Sequence, residues 1–126
     1  MIGRVQKLTS DNLPRSAGPY SHVAVAGGLV FTAGFGPQDP VTDAVPEGIE
    51  AQTEAVIRNV ERALAQVGCD LSHVVKVTAH LASLADFAAY NAVYERLFPA
   101  PYPVRTTVGS GLHDILVEID VVAELP

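Results

Sequence analysis

Apolar and polar positions along this chain follow two rhythms. From Val74 to Leu81 the repeat is two: Val75, Val77, Ala79 and Leu81 fall on one side, Lys76, Thr78 and His80 on the other. That alternation predicts a half-buried strand. The same repeat returns over Ile115 to Leu125. Ile115, Val117, Ile119, Val121 and Ala123 share one face, and Glu118, Asp120 and Glu124 lie opposite with Leu116 and Val122. From Ile49 to Val67 the rhythm is helical. Val56, Val60, Ala63, Leu64 and Val67 form one apolar stripe, and Glu54 and Arg58 can pair on the outer side. Gly68 is placed to cap the helix end.

The remaining elements are weaker in pattern but well punctuated. Arg4 to Leu8 reads as a short first strand, and Thr9 to Pro19 as a loop. Ser21 to Ala26 and Leu29 to Ala33 read as a hairpin, because Gly27-Gly28 can adopt the positive φ of a two-residue turn. Gly34 to Gly48 is loop. A second helix is predicted from Leu84 to Phe98, with a capping box of Ser83 and Asp86. Its apolar face carries Leu84, Phe87, Ala88, Tyr94 and Phe98, together with Asn91. Pro99, Pro101 and Pro103 end it and lead into the β-type run Pro103 to Val108; Gly109, Gly111 and His113-Asp114 form the next loop.

This order predicts one α+β domain over residues 1–126, a mixed sheet of about six strands with both helices on one face. Two helices cover one face only. Strand residues such as Val23, Val25, Val30 and Leu116 are more than they can bury, so a homo-oligomer is expected to cover the open face and to build pockets between subunits.

Composition narrows the chemistry. The chain is 48% hydrophobic and carries a formal net charge of -6, without the basic footprint of a nucleic-acid binder. Cys69 is the single cysteine, which excludes an internal disulfide and suits a reducing, cytoplasmic setting; its expected place is a buried site near a helix end. No apolar run approaches the ~20 residues of a membrane span, and no apolar leader is read at the start. The histidines His22, His73, His80 and His113 are scattered, and the spacing of His73 and His80 argues against a metal pair.

One cation stands out. In Pro103 to Val108, Arg105 and Thr107 face one way and Val104, Thr106 and Val108 the other. A guanidinium on such a strand is either ion-paired or a receptor for an anion, and its planar fork matches a carboxylate.

Five segments occur in order: Ala17-Gly18-Pro19-Tyr20, Phe31-Thr32-Ala33-Gly34, Asn91-Ala92-Val93-Tyr94-Glu95 with Phe98, Pro103-Val104-Arg105-Thr106, and Val117-Glu118-Ile119-Asp120. Together they resemble the reactive-intermediate deaminase family, also called the YjgF/YER057c/UK114 family and, in older usage, L-PSP endoribonucleases. The resemblance spans about residues 10 to 125. It implies a chorismate-mutase-like fold, a homotrimer whose sheets close into a barrel, and clefts between subunits. It also implies hydrolysis of 2-enamine or 2-imine acids, such as 2-aminoacrylate, to 2-keto acids and ammonia, with no cofactor and no metal. Arg105 matches the family's carboxylate-binding arginine and Glu118 its site glutamate. Tyr20, Gly34, Phe35 and Thr107 match positions lining the substrate. Many deaminating members carry cysteine where this chain has Thr107, and glutamine where it has Phe35. Glu118 could equally be a structural partner of Arg105. Two other functions fit the same residues: a non-catalytic trimer that binds a small carboxylate, and a ribonuclease, which the net charge disfavours.

Overall fold

The computed structural model describes residues 4–126; the start of the chain, where an apolar leader was sought, falls partly outside them. Six strands and two helices run in the order β1 (Gln6–Leu8), β2 (Val23–Ala26), β3 (Leu29–Thr32), α1 (Ile49–Ala65), β4 (Val74–Leu81), α2 (Phe87–Leu97), β5 (Val104–Gly109) and β6 (Val117–Glu124). The strands form one sheet in the order β1-β2-β3-β6-β4-β5. Only β4 and β5 are parallel, and α2 is the crossover between them. The fold class is α+β, a six-stranded mixed sheet with two helices on one face.

The strand rhythm explains the core. Val77, Ala79 and Leu81 of β4 meet Val117, Ile119 and Val121 of β6 on the helix side, and all six are buried. Helix α1 lays Val56, Ile57, Val60, Ala63 and Leu64 over them, each at 0% exposure. Burying a side chain of this size contributes ~1.5–3 kcal/mol, so this layer is the main source of stability. Gly27 and Gly28 turn the β2–β3 hairpin with φ of 59° and 78°, and Gly68 follows α1 at φ 76°.

Several boundaries and faces differ from the sequence expectation. Val75 points outward at 50% exposure, because the β4–β6 register slips between Val74 and Lys76 and Val74 turns inward instead. The second helix does not begin at Leu84. Ser83 caps a short 3-10 turn, Leu84–Asp86, by accepting from the Ala85 N–H at 3.2 Å, and α2 starts only at Phe87. Leu84 and Phe87 are consequently exposed, and Tyr90, Val93 and Tyr94 form the buried face. A further 3-10 turn, Leu71–His73, was not foreseen; Asp70 and His73 close a capping box around it.

The uncovered sheet face is real but is made of other residues than expected. Val23 and Val30 are buried under the helices, and Val25 and Leu116 pack at the core margin. The hairpin register puts Val23, Val25 and Val30 on the helix side and leaves Ala24 and Phe31 on the open one. The large apolar side chains left exposed include Leu29, Phe31, Val104 and Val108.

Candidate functional site

The sheet register decides which of the singled-out residues can meet. Arg105 pairs with Val77 and Thr107 with Ala79 across the parallel β4–β5 ladder, so both point to the helix side. Glu118 pairs with His80 across β4–β6 and points to the open side. Within one chain Arg105 and Glu118 therefore lie on opposite faces of the sheet. The idea that Glu118 is the structural partner of Arg105 inside the chain is overturned by this register.

The helix-side half is aromatic. The Arg105 guanidinium carbon lies 4.6 Å from the Tyr94 ring centroid, 5.3 Å from Tyr90 and 5.8 Å from Phe87. Those distances put the cation on the negative ring faces, an attraction of ~0.5–2 kcal/mol per favourable contact. Among the described residues no carboxylate lies within 4.0 Å of the guanidinium. Beside it opens a cavity of about 380 Å³ lined by Asn91, Tyr94, Glu95, Tyr102, Pro103 and Arg105. The hydroxyls of Tyr90, Tyr94 and Thr107 are buried without a hydrogen-bond partner. Burial pushes the Tyr94 phenol up to about 12, with Tyr90 adding to the shift and Arg105 opposing it. Burial also raises Tyr90, against the pull of Arg105 and Thr107. Both phenols stay neutral donors through the physiological range.

The open-side half is built around Gly34. A β-carbon on Gly34 would collide with the Glu118 carboxylate and lie 3.0 Å from its Cδ. The absent side chain thus gives Glu118 its place, a use of glycine for close approach. A hollow of about 790 Å³ is lined by Lys7, Tyr20, Phe31, Gly34 and Glu118 among others. A second, of about 640 Å³, shares Tyr20, Gly34 and Glu118 and reaches Arg15, Phe35 and His113. Tyr20 is half exposed, and its hydroxyl oxygen accepts from the Ala17 N–H at 3.0 Å, leaving its proton free to be donated. Phe35 is 4% exposed and bridges to Ile119, so its ring belongs chiefly to the core. Asp120, two residues beyond Glu118 on the same face, is raised by burial and held back by His80 and Lys76.

The loop positions that carry Tyr20 and Gly34 are pinned by buried polar side chains. His22 is 2% exposed; its Nδ1 accepts from the Ser10 N–H, so Nε2 carries the proton and donates to the Pro14 carbonyl at 2.8 Å. Asn59 donates to the Gly36 and Gln38 carbonyls, both at 2.9 Å. Gln52 ties the Pro46 carbonyl to the Leu116 N–H. His80 Nδ1 lies 2.7 Å from the Ser110 hydroxyl, and His73 serves the 3-10 cap. Among the described residues no group of three or more His, Cys, Asp or Glu side chains is arranged to hold a metal ion, and no helix is long and apolar enough to cross a membrane.

Tyr90 escaped the sequence reading. Its signal was present, since Phe87, Tyr90 and Tyr94 recur at helical spacing on the face that looks at Arg105. The 3-10 start displaced that face by part of a turn.

A six-stranded mixed sheet backed by two helices places the chain among small α+β proteins; Arg105, without a carboxylate partner among the described residues, lies on one face and Glu118 on the other. The chain belongs to the family described as Endoribonuclease L-PSP, whose model matches residues 10–125. It is 40% identical over 121 residues to Reactive Intermediate Deaminase A, chloroplastic, of Arabidopsis thaliana, covering 94% of this chain and 65% of that protein. A RutC family protein of Pyrococcus abyssi is 38% identical over 119 residues, with 92% and 94% covered. The crystal structure of E. coli TdcF with bound serine matches with a TM-score of 0.90 at 28% identity, covering 96% of this chain and 99% of that one. The family resemblance carried by the five sequence segments thus holds.

Proposed function

We propose that the protein hydrolyses 2-imino and 2-enamino acids to 2-keto acids and ammonia, in the cytoplasm, as a homotrimer whose sites lie between subunits. The observation that carries this reading is the guanidinium of Arg105, without a carboxylate partner among the described residues and open to a cavity. The name of the Arabidopsis relative and the amino acid bound to the E. coli neighbour support the same chemistry. Because Arg105 and Glu118 face opposite sides of one sheet, the site needs the Arg105 half of one subunit and the Glu118 half of another. The exposed Phe31, Val104 and Val108 are the apolar surface such an assembly would cover.

In this mechanism Arg105 holds the substrate carboxylate through two parallel N–H donors and so orients the C=N carbon. Glu118 accepts a proton from water as the water oxygen bonds to that carbon and the C=N electron pair moves to the nitrogen. Glu118 returns that proton to the nitrogen, giving a carbinolamine; the carbinolamine hydroxyl proton then passes through Glu118 to the nitrogen, the C–N bond breaks with its electron pair leaving on ammonia, and the freed oxygen forms the C=O of the 2-keto acid. Gly34 and Tyr20 shape the wall on the Glu118 side, and Thr107 follows Arg105 on the helix-side face of β5. The test is an amino-acid oxidase that releases imines in the presence of semicarbazide. The wild type is expected to divert imine from the trapped adduct, and Arg105→Ala is not. Adduct unchanged by either protein, across small and large amino acids, would sink the deaminase reading and leave a carboxylate-binding protein.

A further inference from the structure

We propose that Tyr90 is a positioning residue for Arg105: when a carboxylate binds, the Tyr90 hydroxyl, with that of Thr107, accepts the inward N–H groups of the guanidinium, so that the opposite edge of the fork is held toward the carboxylate. The inference rests on Arg105 as the carboxylate receptor. A guanidinium has five N–H donors, and bidentate binding uses only two of them. The others need acceptors on the protein side. No carboxylate within 4.0 Å supplies them among the described residues. On the same face of the sheet lie the buried hydroxyls of Tyr90, Tyr94 and Thr107, none with a hydrogen-bond partner, and Tyr90 is close enough to feel both Arg105 and Thr107.

Tyr90 is the least accessible of these residues, at 0% exposure, and it does not line the cavity. It acts through Arg105 and not on the ligand. Its ring attracts the cation, but a ring face is weakly directional about the guanidinium normal. A hydroxyl acceptor on the protein side would fix that rotation. Neutral acceptors have a second consequence. A carboxylate partner would cancel the positive charge, whereas hydroxyls orient it and leave it whole for an anion. Until a carboxylate fixes the guanidinium, these buried hydroxyls have no partner, which costs stability that their apolar isosteres would not. A structural tyrosine and a positioning tyrosine therefore predict opposite outcomes on replacement.

The experiment compares wild type, Tyr90→Phe, Thr107→Val, Thr107→Ser and Arg105→Ala. Pyruvate is the probe, since its carboxylate adjoins a carbonyl as a 2-imino acid's adjoins an imine. Tyr90→Phe is expected to melt at or above the wild-type temperature, to bind pyruvate ~5-fold more weakly, and to raise KM for imine by a similar factor with kcat little changed. Thr107→Val should behave alike, and Thr107→Ser should restore wild-type affinity. Unchanged pyruvate affinity and KM in both Tyr90→Phe and Thr107→Val would overturn the positioning role while loss of binding in Arg105→Ala preserved the carboxylate reading. A drop in melting temperature that alone accounts for weaker binding in both variants would also overturn it. Pyruvate bound equally by Arg105→Ala, or not bound by the wild type, would overturn both.

Discussion

Arg105 and Glu118 occupy two faces of one sheet, and those faces hold their side chains by different means. On the helix side, α2 places three aromatic rings, Phe87, Tyr90 and Tyr94, beside the guanidinium. On the open side, Glu118 rests in the gap left by a glycine, beside half-exposed Tyr20 and Phe31. The first half is shaped by core packing, so changes there couple binding to stability. The second is shaped by an absence, so changes there should alter activity with little effect on folding.

The strongest way to break this comparison is to separate the halves. Arg105→Ala and Glu118→Ala should each lower imine turnover on the order of 100-fold. Co-expressed together, they should recover about one quarter of wild-type activity, since random assortment in a cyclic trimer unites an intact Arg105 half with an intact Glu118 half at that fraction of interfaces. Mixed oligomers verified by native mass spectrometry but showing no recovery would mean that the halves do not meet between subunits.

Asn59→Ala probes the scaffold behind the open half. It removes two bonds to loop carbonyls and the acceptor of Arg62, at a residue 1% exposed. A loss of about 2 kcal/mol in urea unfolding is expected, with a parallel fall in activity as the Gly36–Gln38 segment loosens.

Gly34→Ala should do the reverse. The new methyl meets the movable end of Glu118, so unfolding free energy should change by less than about 1 kcal/mol while turnover falls roughly tenfold. Large destabilisation with intact specific activity would contradict the assignment of that gap to Glu118.

The smallest effect is in alkali. A free phenol titrates near 10 and Tyr94 in the fold at about 12. The unfolded chain loses its proton first, so the Tyr94 contribution is fully present below about pH 10 and fades as pH rises toward 12. Tyr94→Phe should flatten that decline, measured by chemical unfolding at stepped pH.

Most of the fold was legible because its signals are local. The β4 span agrees with the alternation of Val77, Ala79 and Leu81, and α1 with the stripe from Val56 to Leu64. The Gly27-Gly28 turn was written in residue type. What was not legible depended on distant partners. The slip at Val75 arises from pairing with β6. The start of α2 depends on whether Ser83 caps an α-turn or a 3-10 turn, and both use the same residue. The site residues could be named one by one, but their division between two faces could not, because parity across β4 links Arg105 on β5 to Glu118 on β6 only once the register is known. Asn59 and Gln52, polar residues inside a helix, gave no sequence cue that they clamp loops.

The last strand in the chain, β6, is seated in the middle of the sheet, between β3 and β4. Everything made before it is two separate pieces: a three-stranded meander, β1-β2-β3, and the β4–α2–β5 crossover. Neither can close its layer alone, so both wait with open edges until Val117–Glu124 has been synthesised and has left the ribosome. The sheet is thus completed only when β6 inserts between β3 and β4. A chain truncated before β6 presents two unpaired central edges at once, which chaperones or proteases would meet before the sheet could close.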